Sequence, residues 1–300
     1  MNFNLISVLV LVMSGLSLYV GFYHLLTYYS GLRDKTLIYF SATCLSVALY
    51  TFFCAGLYNA DTVAQGMVWQ RYQFATLAIL SIFMIWFVFS FTDQKSYKVC
   101  HYFTLIFILF FISGFVVRNE MTLSLSNPSP KTIVFGDSIK LVYNECNPGL
   151  IYFFQYCVMS IAIAYITYLL IKHYRNDSKK QSRPIIIAML IFFITAINDI
   201  FVGSGLYPFI YIAEYFFLII ILTMSYVLLN RFVSFHVELE DVNKNLEKKV
   251  DERTIALMHA KDQIEKAYEG VEKRVEERTV ELKRGNSGAA AGRTGISTTA

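Results

Sequence analysis

The sequence predicts an all-α membrane protein: a seven-transmembrane helix bundle followed by a C-terminal cytoplasmic coiled-coil helix. Three observations carry this. The 300 residues are 56% hydrophobic and 16% charged, with a mean hydropathy of +0.48, whereas soluble domains hold about 25% charged residues. From Met1 to Asn230 long apolar runs alternate with short polar breaks. After Asn230 the chain turns charged, and its last sixteen residues are mostly Gly, Ala, Ser and Thr. These shifts mark a membrane domain over 1–230, a stalk over 231–284 and a tail over 285–300 expected to be disordered. The net charge of +4 gives no reason to invoke nucleic acid. Five cysteines without CxxC or ligand spacing read as small apolar residues, and no disulfide framework is visible.

A hydrocarbon core of ~30 Å needs ~20 apolar residues. Seven stretches meet that length: 5–29, 36–58, 70–92, 99–117, 150–172, 184–206 and 208–229. The first has no Lys or Arg before Arg33 and is too long for a signal h-region, so it reads as an uncleaved helix. With the N-terminus outside, the inner connections hold Arg33, Lys35, Lys95, Lys98, Lys172, Arg175, Lys179, Lys180 and Arg183. The outer ones hold Arg71, Arg118, Lys131 and Lys140. Nine basic residues against four favour that orientation. An odd number of spans then puts the stalk in the cytoplasm, beneath an inner (plasma) membrane.

The outer connection over 118–149 is long enough to have structure of its own. Lys131–Phe135 and Ser138–Tyr143 are β-rich runs around Gly136-Asp137, a two-residue turn suited to a hairpin, with Pro128, Pro130 and Pro148 as brackets. Such a hairpin either shields helix ends or contacts a ligand.

Ionisable groups within spans are costly, about 2.5–3.5 kcal/mol on insertion scales, and usually face a cavity or a partner. Asn198 and Asp199 lie near the end of the sixth span, and Glu214 near the start of the seventh. The short connection through Leu206-Tyr207-Pro208 makes these helices antiparallel neighbours, so both carboxyls lie ~10 Å below the outer boundary. Arg71 is within snorkelling reach of them, and Gln70, Gln73 and Gln155 lie toward the same half. Three alternatives stand: an interhelical polar clamp, a pocket sensing a small molecule or ion, or a proton or ion path. His24 reads as a packed or interfacial histidine.

Beyond Arg231 the apolar pattern narrows to a stripe. Leu246, Val250, Arg253, Leu257, Ala260, Ile264, Ala267, Val271, Val275, Arg278 and Leu282 follow one another in steps of three and four, the signature of a coiled-coil seam. Two consecutive fours, at Ala267-Val271-Val275, form a stutter that locally unwinds the supercoil. The segment 246–257, Leu-Glu-Lys-Lys-Val-Asp-Glu-Arg-Thr-Ile-Ala-Leu, returns at 271–282 as Val-Glu-Lys-Arg-Val-Glu-Glu-Arg-Thr-Val-Glu-Leu. A lone helix has nowhere to bury that stripe, so a homodimer is expected.

The stalk wording resembles the linker upstream of PAS or kinase modules in bacterial sensor histidine kinases. Leu18-Tyr-Val-Gly-Phe-Tyr-His-Leu-Leu, Ala55-Gly-Leu-Tyr-Asn-Ala, Trp69-Gln-Arg, Asn198-Asp-Ile and Tyr207-Pro-Phe-Ile-Tyr-Ile-Ala-Glu-Tyr resemble the seven-helix N-terminal sensor region of one such group. The resemblance covers residues 1–283. It implies a domain that senses a signal and passes it to a cytoplasmic kinase or PAS module in a two-component system. No phosphoacceptor or ATP-binding motif accompanies it: His236 is followed by Val-Glu-Leu-Glu, and the glycines after Lys283 lack the strand, lysine and helix of a phosphate loop. The expectation is therefore a non-enzymatic sensor module without a cofactor. A small transporter or conductor and a membrane-anchored dimerisation adaptor are the alternatives.

Overall fold

A bilayer offers backbone N–H and C=O groups no water to bond with, so a spanning segment closes its hydrogen bonds along its own helix. The computed structural model of the chain describes residues 5–94, 97–135, 139–176, 182–203, 206–207 and 209–294. Its helices are α1 (Leu5–Thr27), α2 (Lys35–Tyr58), α3 (Val63–Phe91), α4 (Lys98–Val116), α5 (Leu150–Asn176), α6 (Ser182–Gly203) and α7 (Ala213–Thr294). Among the described residues, seven helices are long and apolar enough to cross a membrane. Many hydroxyls in them, such as those of Thr43, Thr51, Ser81 and Thr167, donate to carbonyls one turn back on their own helix. This leaves them satisfied without water.

The chain divides into two units, Met1–Arg231 and Phe232–Ala300. In the first, α1 packs on α2, α2 on α3, and α3 on α4 and α5, while α5 also packs on α4 and α6. Phe217, Ile220, Ile221 and Met224 of α7 join Phe40, Phe87, Ile166 and Met189 in the main core. The predicted neighbours α6 and α7 meet through Phe192 and Phe217, whose ring centroids are 4.8 Å apart. Leu105, Leu109 and Ile112 of α4 and Leu9, Val12 and Leu16 of α1 stay exposed, the surface that acyl chains cover.

Helix starts depend on caps that a count of apolar residues does not see. The Asp34 carboxylate accepts from Thr36 N at 2.9 Å and opens α2. The Thr62 hydroxyl accepts from Gln65 N at 3.3 Å, so α3 begins at Val63, seven residues ahead of the expected start at 70. At the other extreme, α7 begins at Ala213, five residues after the expected 208, and residues 209–212 are non-helical. Glu214 therefore lies in the first turn of α7 and not two turns inside it.

Strands β1 (Lys131–Phe135) and β2 (Ile139–Tyr143) form the expected antiparallel hairpin. The expected turn, Gly136-Asp137, lies outside the described residues. Because Phe135 pairs with Ile139, the connection spans 136–138, one residue longer than a two-residue turn. Ile133 and Tyr143 are buried against Val10, Cys54, Leu57 and Tyr58.

In the second unit α7 remains helical to Thr294. The composition of 285–300 predicts disorder, but the backbone of 285–294 continues the helix, where Ala289, Ala290 and Ala291 are strong helix formers, and 295–300 lie outside the described residues. Leu246, Val250, Leu257, Ile264, Val271, Val275 and Leu282 are all exposed on this single chain.

Candidate functional site

Close approach of the hairpin to α3 builds one side of the site. Gly66 makes this possible, since a Cβ there would collide with the carbonyl of Asn144. The Asn144 amide donates to Ala60 O at 2.8 Å, tying the end of β2 to the end of α2. Cys146 N donates to Gln70 Oε1 at 2.7 Å, and Gln70 Nε2 donates back to Cys146 O at 3.2 Å. The loop is thus held on α3 by backbone-to-side-chain bonds, and it delivers Glu145 to the interior.

Beneath the loop lies a cavity of about 550 Å³ between α2, α3, α5, α6 and the first turns of α7. Leu57, Phe74, Leu77, Phe153, Phe192 and Phe217 give it largely apolar walls. Its charged lining consists of Glu145, Lys131, Asp199 and Glu214. Each of the four is held differently.

Glu145 is 4% exposed and pairs with Lys131 Nζ at 2.5 Å. Tyr211 donates its hydroxyl to Glu145 Oε1 at 2.9 Å, and Gln70 Nε2 lies 3.4 Å from Oε2. Lys131 also donates to Gly203 O at 2.9 Å and to the Tyr211 oxygen at 3.0 Å, so hairpin, α6 and the α6–α7 connection meet on one ammonium. Burial pushes the Glu145 carboxyl above its usual range, and the Lys131 charge and the hydrogen bonds from Lys131 and Tyr211 oppose this. Burial, and next the Glu145 charge, push the Tyr211 phenol well above its usual value.

Asp199 spans the break between α6 and α7. It accepts from Ile212 N at 2.8 Å and Ala213 N at 3.1 Å, capping α7 from the neighbouring helix. A carboxylate at a helix N-terminus meets both unpaired N–H groups and the positive end of the helix dipole. This is why α7 starts late: the carboxylate takes the N–H groups at its first turn. Asn198 donates to Asp199 Oδ1 at 2.9 Å and to Ile210 O at 3.3 Å, and the Tyr207 hydroxyl bonds to its oxygen.

Glu214 is 2% exposed. Tyr58 donates its hydroxyl to Glu214 Oε2 at 2.7 Å. Its other oxygen, Oε1, is buried with no hydrogen-bond partner among the described residues.

Of the residues singled out from sequence, Asp199, Glu214, Gln70 and Gln73 line this one cavity. Asn198 serves behind Asp199 and not at the wall. Arg71 does not join the carboxyls: it lies by Tyr152 at the start of α5, and its Nε is buried without a partner among the described residues. The early start of α3 places Arg71 in its third turn, well inside the helix. Gln155 is a helix clamp outside the lining, donating to Phe74 O at 2.8 Å. His24 is packed, as expected, with Nε2 2.8 Å from Ser225 Oγ. Glu145 and Lys131 escape a search for charges within spans because both belong to the connection between α4 and α5, Lys131 opening β1 and Glu145 following β2. The polar run Asn144-Glu145-Cys146-Asn147 ahead of α5 was the available signal.

Two comparisons with known proteins complete the description. A family model described as 7TM diverse intracellular signalling matches residues 6–231. No curated protein matches the chain.

Proposed function

The chain belongs to the 7TM diverse intracellular signalling family and is a multi-pass membrane protein, and from this we propose that it is the membrane sensor of a histidine-kinase-type, two-component signalling system. The N-terminus and the hairpin end face outward, and α7 carries the signal inward. Positive charge supports this orientation: Arg33, Lys35, Lys98, Lys172, Arg175, Arg183 and Arg231 gather at the end of the bundle opposite the hairpin. The stalk dimerises along Leu246, Val250, Leu257, Ile264, Val271, Val275 and Leu282, and the output module is a kinase or PAS domain.

The single observation that carries the proposal is the position of α7. One helix supplies Glu214 to the cavity and extends to Thr294. A shift of α6 against α7 at the cavity therefore acts on a helix that also forms the stalk. A second function is favoured for Asp199 alone. Its bonds to Ile212 and Ala213 are those of a structural cap, so the predicted polar clamp describes this residue well.

The test is disulfide crosslinking of Val250→Cys and Leu257→Cys chains in membranes, in a Cys157→Ser background because the other four thiols are buried. Filling the cavity with Ala196→Phe imitates occupancy. A several-fold change in crosslink yield at either position supports coupling. Identical yields with and without Ala196→Phe sink it.

A further inference from the structure

The chain leaves the charge of the cavity unbalanced. Three carboxyls line it, Glu145, Asp199 and Glu214, against one base, Lys131. Lys131 is committed to Glu145, and Asp199 to the N–H groups that open α7. Glu214 receives the Tyr58 hydroxyl on Oε2, the Cys54 thiol adjoins the carboxyl as a weak donor, and Oε1 is buried without a geometric hydrogen bond among the described residues. A buried acceptor without a donor is rare and costly, so the arrangement calls for one from outside the chain.

The surroundings of Glu214 say what kind of donor fits. Tyr50, Phe74, Tyr156, Phe192 and Phe217 line the cavity with it, and Phe217 is fixed between Tyr50 and Phe192 at ring-centroid distances of 5.4 and 4.8 Å. Aromatic faces attract cations, and a carboxylate among them recognises an ammonium group. A bare metal ion fits poorly, because it needs several oxygen, nitrogen or sulfur ligands. Among the described residues no group of three His, Cys, Asp or Glu is placed to hold one. The volume of about 550 Å³ falls within the ~300–1,000 Å³ that encloses a drug-sized organic molecule.

We propose that the cavity binds a small organic amine, whose ammonium donates to Glu214 Oε1 while its apolar body lies along the aromatic walls. This names the ligand class of the sensing site and so rests on the sensor function proposed above. Binding is measured on the full chain in lipid nanodiscs, with empty nanodiscs subtracted. Phenethylamine is compared with neutral phenethyl alcohol and anionic phenylacetate. The amine should bind about tenfold or more tightly than the alcohol. Glu214→Gln should abolish that preference, and Glu214→Asp should keep it. Ala196→Phe should remove binding of amine and alcohol alike.

Equal binding of amine and alcohol, a preference for phenylacetate, or a preference that survives Glu214→Gln would each overturn the proposal. Should Glu214→Gln not fold, amine binding that Ala196→Phe leaves intact overturns the site. The two proposals fail separately. Stalk crosslinking that responds to Ala196→Phe, with amine and alcohol bound alike, removes the amine and leaves the sensor. Amine preference with unmoved crosslinking removes the sensor and leaves the amine site.

Discussion

The bundle and the stalk expose apolar side chains to the same degree, yet the same exposure means different things in each. Leu105 and Leu109 of α4 are 58% and 59% exposed, and Leu246 and Ile264 of the stalk are 60% and 69% exposed. Around Leu105 and Leu109 the helix is apolar on every side, so lipid is its solvent. Around Leu246 the sequence reads Glu-Lys-Lys, so the solvent is water, and the proposed second helix of a dimer would cover the stripe. The composition of the remaining face therefore tells what covers an exposed stripe. Polar groups divide the same way. In the bundle many are buried and bonded within their own helix or across the fold, with atoms such as Arg71 Nε and Glu214 Oε1 left over among the described residues, whereas in the stalk a pair such as Lys244 and Glu240 sits in water, four residues apart at 3.3 Å. Substitutions should accordingly cost folding stability in the bundle and association in the stalk.

The sharpest contrast should come from Lys131→Met. It leaves Glu145 buried without its cation, and breaking such a pair costs about 3–5 kcal/mol. Detergent unfolding should show the loss, with much of it restored in Lys131→Met/Glu145→Leu. A negligible change would put the pair on the same footing as the stalk charges. Gly66→Ala comes next, since its Cβ meets the Asn144 backbone and must push the hairpin off α3. Overpacking of this kind costs about 1–3 kcal/mol, measurable in the same unfolding series. Asp199→Asn keeps a hydrogen-bonding cap but loses the charge at the α7 N-terminus, for about 0.3–1 kcal/mol. Leu257→Ala in the stalk should change subunit unfolding by less than about 0.5 kcal/mol, while weakening self-association in crosslinking and light scattering. A large unfolding loss there would erase the distinction between the two regions.

The pH dependence sharpens the same point. Burial raises the Glu145 carboxyl above its unfolded value of 4.5, so the folded state holds its proton longer than the unfolded state does. Its contribution is fully present below the unfolded value and is lost as pH rises through the raised one. Wild-type stability relative to Glu145→Gln should therefore fall as pH climbs from 4.5 through the raised value. A relative gain over that window would mean that the Lys131 charge outweighs burial.

The seven spans, the hairpin and the stalk stripe were legible because each is a one-dimensional pattern. Hydropathy over twenty residues, alternation around a Gly-Asp turn and steps of three and four are properties of neighbours along the chain. The pairing of α6 with α7 was legible as well, since a short connection leaves antiparallel helices little choice. Asp199 and Glu214 stood out because charge in an apolar span is rare. Caps were harder to see: Thr62 moved the start of α3 through one hydrogen bond, and Asp199 that of α7 through two, which a window average erases.

The sequence by itself determined seven stretches long and apolar enough to cross a membrane, which two carboxyls fall in the last two of them, and that its last long helix carries an apolar stripe. Only the tertiary structure decided that Glu145 and Lys131 enter the same cavity from the connection between α4 and α5, that Arg71 lies by Tyr152 and outside the lining, that Asp199 serves as a cap, and that Glu214 Oε1 has no hydrogen bond among the described residues. The reason is physical. Solvent preference is summed residue by residue along the chain, whereas a buried polar group is satisfied by whichever donor the fold brings within 3 Å or so, and that donor lies at 58 for Glu214, at 212 and 213 for Asp199, and at 131 and 211 for Glu145.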